Sequence, residues 1–130
     1  MIFSEVNESV RAYKVGNHQH IPEISQALKY FGGYSQKFSF VPHLLPVTRG
    51  IYTTIHAQVK NGIDEKNIID VFESSYKLKS FVRFFNQSIP EMKDVAHTNF
   101  CDIGFKLNDN NSLVVFSTID NLVKGAAGQA

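Results

Sequence analysis

The apolar residues of this chain follow two periods, one of two residues and one of three to four. Alternation is clearest over residues 51–60, where one face carries Ile51, Thr53, Ile55, Ala57 and Val59. Because successive side chains of a strand point to opposite faces, this stretch is predicted to be a strand. Shorter apolar runs predict further strands at residues 38–41, 81–85, 95–107 and 113–119. The Asn- and Asp-rich residues 108–111 predict a hairpin turn between the last two.

The helical period appears in two places. A first helix is predicted to begin near Pro22 and to stop at Gly33, with an apolar stripe at Ile21, Ile24, Leu28 and Phe31. A second is predicted to begin after the N-cap residue Asp64, with a stripe at Ile68, Ile69 and Phe72. The small residues from Asn121 onward predict a third, tightly packed helix. Residues 1–15 suit either a short helix or a strand.

These elements define the expected fold class. About five strands joined mostly by tight turns, with two to three helices, predict an α+β fold. The sheet is expected to be mostly antiparallel, with the helices on one of its faces. A chain of 130 residues usually forms one domain, so residues 1–130 are expected to form a single domain.

Composition narrows the functional classes. A formal net charge of +1 with 19% charged residues argues against a nucleic-acid-binding surface, which needs a basic stripe. The sequence contains no apolar run of membrane-spanning length and begins without a signal-peptide pattern. The single cysteine, Cys101, fits a reducing compartment. We therefore expect a cytoplasmic protein without nucleic-acid or membrane partners.

His18 and His20 lie two residues apart, directly before the first predicted helix. Alternate residues of an extended loop point the same way, so both rings are expected to face one cavity. Histidine exchanges protons near neutral pH and suits acid–base catalysis. Helix capping and a place on the surface are the alternatives. A metal site is a third alternative, but the spacing of the five histidines beyond this first pair matches no metal-binding motif, since the other three are His43, His56 and His97.

Two further positions are candidates for chemistry or binding. Arg49, in a loop with two prolines, is either a bidentate anion ligand or a solvated loop residue. Cys101 lies within a strand pattern beside Asp102, where nothing is expected to lower the pKa of a thiol. We therefore assign Cys101 no catalytic role.

Three strings carry a family resemblance when they occur in this order: Gly16-Asn17-His18-Gln19-His20-Ile21-Pro22-Glu23-Ile24, Pro42-His43-Leu44-Leu45-Pro46-Val47-Thr48-Arg49-Gly50 and Asp120-Asn121-Leu122-Val123-Lys124-Gly125-Ala126-Ala127-Gly128-Gln129-Ala130. Together they resemble the N-acetyl-gamma-glutamyl-phosphate reductase family. The resemblance covers nearly the whole chain and implies a domain like the C-terminal domain of glyceraldehyde-3-phosphate dehydrogenase.

The resemblance also implies roles for individual residues. A histidine of the first string is the implied acid–base group, and we favour His20 over His18 because it is closer to the helix start. Arg49 is implied to bind the phosphate or carboxylate of the substrate, with His43 as a possible neighbour. Arg11 and Lys14 are further, less favoured candidates for binding the same anionic group. Asn121 is implied to bind the nicotinamide carboxamide, and Gly125 to permit close approach of the cofactor.

Two parts of the resembling enzymes have no counterpart in this sequence, namely the Gly-rich turn of a Rossmann-type nucleotide-binding domain and the cysteine nucleophile. The chain is therefore expected to be a catalytic and dimerisation domain cut from a longer NADP-dependent reductase. Expected partners are N-acetyl-glutamyl phosphate, the nucleotide-binding domain of the same protein, and further copies in a homodimer or homotetramer. Alone, the chain is expected to be inactive. The alternatives are the related aminoadipyl-phosphate reductase of lysine biosynthesis and a stand-alone α+β interaction module.

Overall fold

A computed structural model describes residues 7–33, 37–86 and 88–129. The chain divides into two compact units, Met1–Val47 and Thr48–Ala130. In the described part of the chain, neither helix has the length and hydrophobicity that a membrane crossing requires. The expectation of a single domain stays a prediction.

The first unit contains one helix and a two-stranded ribbon. Strands β1 (Arg11–Ala12) and β2 (His43–Leu44) pair antiparallel. Helix α1 (Ile21–Gly32) has Pro22 in its first turn, as predicted. It ends at Gly33, whose left-handed backbone lets its N–H bond the carbonyls of the last turn. None of its residues is buried, so its apolar stripe does not form a core within the described residues.

The strand predicted at residues 38–41 is wrong, because only β2 forms a ladder in this part of the first unit. Phe40 packs its ring against His18, at a centroid distance of 5.3 Å. Pro42 lacks an N–H but accepts a hydrogen bond from the Tyr13 N–H at 3.0 Å. The ladder therefore begins directly after the proline.

The second unit is built on a four-stranded sheet of order β3–β6–β5–β4. Its strands are β3 (Ile51–Gln58), β4 (Val82–Phe85), β5 (Cys101–Leu107) and β6 (Ser112–Ile119). β6 pairs antiparallel with both β3 and β5, whereas β4 pairs parallel with β5. The predicted α+β class, the strand near residue 51 and the 112–119 hairpin are confirmed.

Helix α2 (Glu65–Tyr76) packs on one face of this sheet. Asp64 forms a capping box with Asn67, in which each side chain accepts the other residue's backbone N–H, so the predicted N-cap is confirmed. The ring of Phe72 stacks on Phe84 at 4.9 Å and on Phe105 at 5.9 Å. This aromatic stack is the centre of the apolar core on that face.

The segment before β5 lies over the other face. A Cβ at Gly104 would come within 2.6 Å of the Ser88 carbonyl oxygen, so only glycine lets the chain cross the sheet here. Below it, Arg83 donates from Nε and Nη2 to the two carboxylate oxygens of buried Asp102, at 2.6 and 2.7 Å. The Arg83 guanidinium also lies 4.4 Å from the centroid of the Phe100 ring.

Two predicted elements of the second unit are wrong. Residues 95–100 are not part of a long strand, because a 3₁₀ turn (Met92–Asp94) precedes them and His97 has a left-handed φ of 64°. β5 therefore begins only at Cys101. The stretch from Asn121 forms turns and a short 3₁₀ segment (Ala127–Gln129) instead of a helix. Asp120 accepts the Leu122 and Val123 N–H groups as a helix N-cap would. The chain then continues as turns, in which the Gly125 N–H bonds the Asp120 carbonyl and the Gly128 N–H bonds the Val123 carbonyl.

Candidate functional site

The two histidines lie at the start of α1, as predicted, but in different surroundings. His18 is buried, with only 6% of its surface exposed, whereas His20 is exposed. The His18 ring makes edge-to-face contacts with Tyr13, Phe40 and His20, at centroid distances of 5.4, 5.3 and 4.8 Å. The two rings are therefore adjacent, but only His18 is enclosed by its neighbours, and the expectation that both face one cavity stays a prediction.

The buried ring of His18 holds the backbone of its neighbour. Its Nδ1 accepts a hydrogen bond from the backbone N–H of His20 at 3.2 Å. Burial lowers the pKa of His18, and the nearby His20 and Lys14 lower it further. His18 is therefore neutral at pH 7, and because Nδ1 accepts, its proton is on Nε2.

His20 is the N-cap residue of α1, but its side chain makes no capping hydrogen bond. The ring itself has no hydrogen-bond partner among the described residues. The helix-cap alternative for its imidazole therefore has no support in the geometry. Because its backbone is fixed by His18 and by the first turn of α1, the structure presents an exposed imidazole from an ordered position.

The other candidates of the first unit lie on the ribbon and the loop that follows it. Arg11 and His43 occupy β1 and β2, where His43 is opposite Ala12, so the two side chains are on different faces of the ribbon. The Nδ1 of His43 lies 3.1 Å from the Val41 carbonyl oxygen. Lys14 follows at a left-handed φ of 46° and is exposed. His43 belongs to the first unit, whereas Arg49 belongs to the second.

Arg49 is paired with a carboxylate that the sequence reasoning missed. Its Nη1 donates to Oδ2 of Asp120 at 2.9 Å, and the side chains of the pair are 27% and 0% exposed. Asp120 follows a strand and precedes Asn121, a place where a carboxylate commonly accepts the backbone N–H groups of the residues that follow. Burial raises the pKa of Asp120, but the hydrogen bonds from the His97 amide, Arg49 and the Leu122 amide outweigh it, so the pKa falls to about 2.

Asn121 and Gly125 lie in the turn after Asp120. The Oδ1 of Asn121 accepts the backbone N–H of Gly50 at 2.6 Å, which fixes the orientation of the amide and leaves Nδ2 as a donor. A Cβ at Gly125 would come within 2.9 Å of the Cα and carbonyl oxygen of Asn121. Glycine is thus required there by the turn itself. The neighbouring Lys124 places its ammonium 5.8 Å from the ring centroid of Phe81.

The last two features considered from sequence are Cys101 and a possible metal site. The Cys101 thiol is half-buried and lies 3.4 Å from the Ser117 hydroxyl, an ordinary packing environment for a small side chain. Among residues 7–33, 37–86 and 88–129, no three His, Cys, Asp or Glu side chains are grouped so as to hold a metal ion.

A family model described as "Semialdehyde dehydrogenase, dimerisation domain" matches residues 1–121. The chain therefore belongs to the semialdehyde dehydrogenase dimerisation-domain family. Known structures agree with this fold. An aspartate semialdehyde dehydrogenase II from Vibrio cholerae superimposes with a TM-score of 0.66 over 87% of this chain and 34% of its own, at 16% identity. A probable aspartate-semialdehyde dehydrogenase from Pseudomonas aeruginosa gives 0.72 over 94% and 39%, also at 16% identity.

Curated relatives are similar over almost the entire chain. Proteins named N-acetyl-gamma-glutamyl-phosphate reductase from Methanococcus maripaludis, Methanocaldococcus jannaschii and Alkaliphilus metalliredigens are 50%, 49% and 45% identical to it. The aligned region covers 98–99% of this chain but only 37–38% of each relative. The chain thus spans little more than a third of the length of these proteins.

Proposed function

We propose that this chain is the catalytic and dimer-forming part of a cytoplasmic, NADP-dependent reductase that converts N-acetyl-glutamyl 5-phosphate to N-acetyl-glutamate 5-semialdehyde, in arginine biosynthesis. The observation that carries the proposal is the 45–50% identity, across nearly the whole chain, to relatives from three organisms that bear this enzyme's name. The family match to a dimerisation domain supports the second half of the proposal.

In the proposed reaction a cysteine thiolate, supplied from outside this chain, attacks the acyl phosphate. A thioester forms, phosphate leaves, and the thiolate is regenerated when the aldehyde is released. NADPH supplies the hydride when it is bound. A proton has to leave the thiol before the attack, and we assign its removal to His20.

The assignment to His20 rests on the contrast with His18. His20 is exposed, and its ring has no partner within the described residues. His18 is buried, and its Nδ1 is already engaged by the His20 backbone N–H. We therefore give His18 a supporting role, since its Nδ1 holds the His20 backbone at the start of α1.

The remaining site residues are proposed to bind anionic or polar groups. Arg49 is proposed to bind an oxyanion of the acyl phosphate, with His43, Arg11 and Lys14 as further polar contacts of the substrate. Asn121 suits a nicotinamide carboxamide, because its amide Nδ2 has no acceptor among the described residues and its oxygen is fixed by Gly50. Gly125 keeps the turn that carries Asn121 tight.

Self-association is proposed through the half of the sheet that α2 leaves uncovered. Ile55 is opposite Val115, which is opposite Phe105, so all three lie on the face to which α2 packs. α2 reaches Phe105 through Phe72, yet Ile55 remains 50% exposed and Ile51 45% exposed. An exposed apolar face of this kind is typical of a subunit interface.

Replacing Ile55 by lysine is expected to weaken the dimer or tetramer without unfolding the chain, because a charge at the centre of an apolar interface loses its hydration. Val71, 62% exposed on α2, offers a matched control for the same change. Sedimentation equilibrium of both variants is the measurement. Equal association by Val71→Lys and Ile55→Lys contradicts this interface.

The activity is tested by assaying the intact protein that carries this chain, with NADPH and N-acetyl-glutamyl phosphate, beside aminoadipyl phosphate and NADH. We expect turnover with the first pair and none from the isolated chain. Preference for aminoadipyl phosphate assigns the protein to the lysine-pathway alternative. Absence of turnover with either acyl phosphate refutes the proposal and favours a non-catalytic interaction module.

A further inference from the structure

The carboxylate of Asp120 joins three segments of the second unit. It lies directly after β6 and is fully buried. Its Oδ2 accepts the Arg49 Nη1 at 2.9 Å and the His97 backbone N–H at 2.7 Å. Its Oδ1 accepts the backbone N–H groups of Leu122 and Val123 at 2.8 and 3.2 Å. Four donors thus converge on two oxygens, which is how a buried carboxylate keeps its charge.

Two of these segments are tied together twice. Arg49 bonds Asp120, and the next residue along each segment repeats the link, since the Gly50 N–H donates to Asn121 Oδ1 at 2.6 Å. We call these two bonds the 49/120 clasp. It holds Arg49, the proposed substrate ligand, and Asn121, the proposed cofactor ligand, in a single arrangement.

The 49/120 clasp leaves the Nε–Nη2 edge of the Arg49 guanidinium without a partner among the described residues. The same sheet shows how that edge binds a carboxylate, because Arg83 uses Nε and Nη2 together to grip both oxygens of Asp102. Arg49 is held instead through Nη1, and within the described residues its Nε and Nη2 have no acceptor. Its side chain is 27% exposed. Nη1 is therefore held by Asp120, whereas Nε and Nη2 together can donate two hydrogen bonds to an oxyanion.

We propose that Asp120 is a positioning residue that holds Arg49 by Nη1 so that its Nε–Nη2 edge receives the anionic group of the substrate, and that orders the turn carrying Asn121. This inference rests on the proposed function. A guanidinium fixed in advance loses less conformational freedom when the anion binds, so the substrate binds more tightly. The carboxylate is ionised throughout the neutral range, because its pKa lies near 2.

The test is Asp120→Asn in the intact enzyme. Asparagine keeps the shape but has one acceptor oxygen, so either the Arg49–His97 pair or the Leu122–Val123 pair meets an NH₂ group. We expect the KM for acyl phosphate to rise roughly tenfold or more, as for loss of a charge-assisted hydrogen bond, with a smaller change in kcat. Amide hydrogen exchange at Leu122 and Val123 or at His97 is expected to accelerate.

Asp102→Asn is the matched control, since Asp102 is equally buried and paired with an arginine in the same sheet. It is expected to lower stability while leaving the KM and the exchange at these three amides unchanged. Equal KM values in the two variants overturn the inference. The inference is also overturned if amide exchange at Leu122, Val123 and His97 is no faster in Asp120→Asn than in Asp102→Asn.

A complex of the intact wild-type enzyme with inorganic phosphate keeps the inference testable if Asp120→Asn does not fold. Phosphate on the Nε–Nη2 edge of Arg49, with Asp120 still on Nη1, supports the inference. Phosphate that displaces Asp120 from Nη1, or that binds away from Arg49, overturns it. If the wild-type enzyme does not turn over acyl phosphate, the proposed function fails, and this complex alone decides the role of Asp120.

Discussion

The two units bury a titratable side chain in opposite ways. His18 in the first unit is surrounded by the rings of Tyr13, Phe40 and His20, which offer little to a charge, and it loses its proton. Asp120 in the second unit is surrounded by N–H donors and keeps its charge. In both residues the pKa falls, yet one becomes neutral and the other stays ionised. Burial alone favours the neutral form of both groups, and the hydrogen-bond donors around Asp120 are what preserve its charge.

The hydrophobic support of the two units differs as well. The second unit packs Phe105, Phe72 and Phe84 into one aromatic stack, whereas α1 of the first unit buries none of its residues. The site residues of the second unit therefore lie on a sheet with its own core. Those of the first unit depend on the loop contacts around His18.

The largest expected effect contrasts these two kinds of support. Phe105→Ala removes a ring that is only 6% exposed and is expected to lower the free energy of unfolding by about 3–5 kcal/mol. Phe31→Ala, at a position 84% exposed on α1, is expected to change it by less than about 0.5 kcal/mol. Urea denaturation followed by circular dichroism measures both. A similar loss in the two variants means that α1 carries a core that its exposure does not indicate.

His20→Asn is expected to reduce kcat of the intact enzyme by about a hundredfold or more, the scale of losing a positioned acid–base group. His18→Asn is expected to be milder, because it removes only the support of the His20 backbone. Steady-state kinetics at saturating substrate compares them. The reverse order assigns the proton transfer to His18, and an unchanged kcat in both removes these histidines from the mechanism.

Arg49→Lys is expected to lower kcat/KM for the acyl phosphate by roughly tenfold, since lysine keeps the charge but loses the planar fork. The affinity for nucleotide is expected to change little. Lys14→Arg is the control, because its native group is a point charge and exposed. An unchanged kcat/KM in Arg49→Lys means that the arginine serves only its ion pair with Asp120.

The smallest expected effect is that the two units contribute to the free energy of unfolding with different pH dependences. The pKa of His18 lies below 6.5 in the folded chain, so below pH 6.5 the unfolded chain binds more protons and stability falls. The pKa of Asp120 falls from 3.8 to about 2, so its contribution is present above about pH 4 and is lost towards pH 2. Between pH 7.5 and 5.5 only the first effect operates.

Unfolding free energies at those two pH values test this separation. His18→Phe is expected to reduce the loss of stability on acidification, because phenylalanine has no proton to gain. His56→Phe replaces an exposed histidine of β3 and is expected to behave like the wild type. An equal acid response in wild type and His18→Phe contradicts the buried, neutral state of His18.

Local signals predicted much of the fold. Pro22 and Gly33 marked the ends of α1, and Asp64 marked the start of α2, because caps and turns depend on residues close in sequence. Alternation located β3, and the Asn-rich turn located the β5–β6 hairpin. The predictions failed where a distant contact decides the backbone. Residues 95–100 are an example, since the backbone N–H of His97 is bound by Asp120, 23 residues further on.

In the candidate site, too, the sequence indicated the residues, whereas distant contacts decided their environments. His18 and His20 were visible from sequence as an unusual pair beside a helix start, but their opposite environments depend on Phe40, which packs on His18 from 22 residues further on. Arg49 was recognised, whereas its partner Asp120 was not, because the pair spans 71 positions. A carboxylate after a strand has many ordinary roles, so spacing alone did not single it out.

The sequence by itself determined the class of fold, the ends of α1, the start of α2 and the residue types available for chemistry, because these follow from local patterns of polarity, capping and side-chain functional groups. The tertiary structure decided which of these residues are neutral, charged, anchored or exposed. Those properties arise from desolvation and from hydrogen bonds between segments far apart in the chain. The buried carboxylate of Asp120 therefore became visible as a candidate only when Arg49, His97 and Leu122 were found around it.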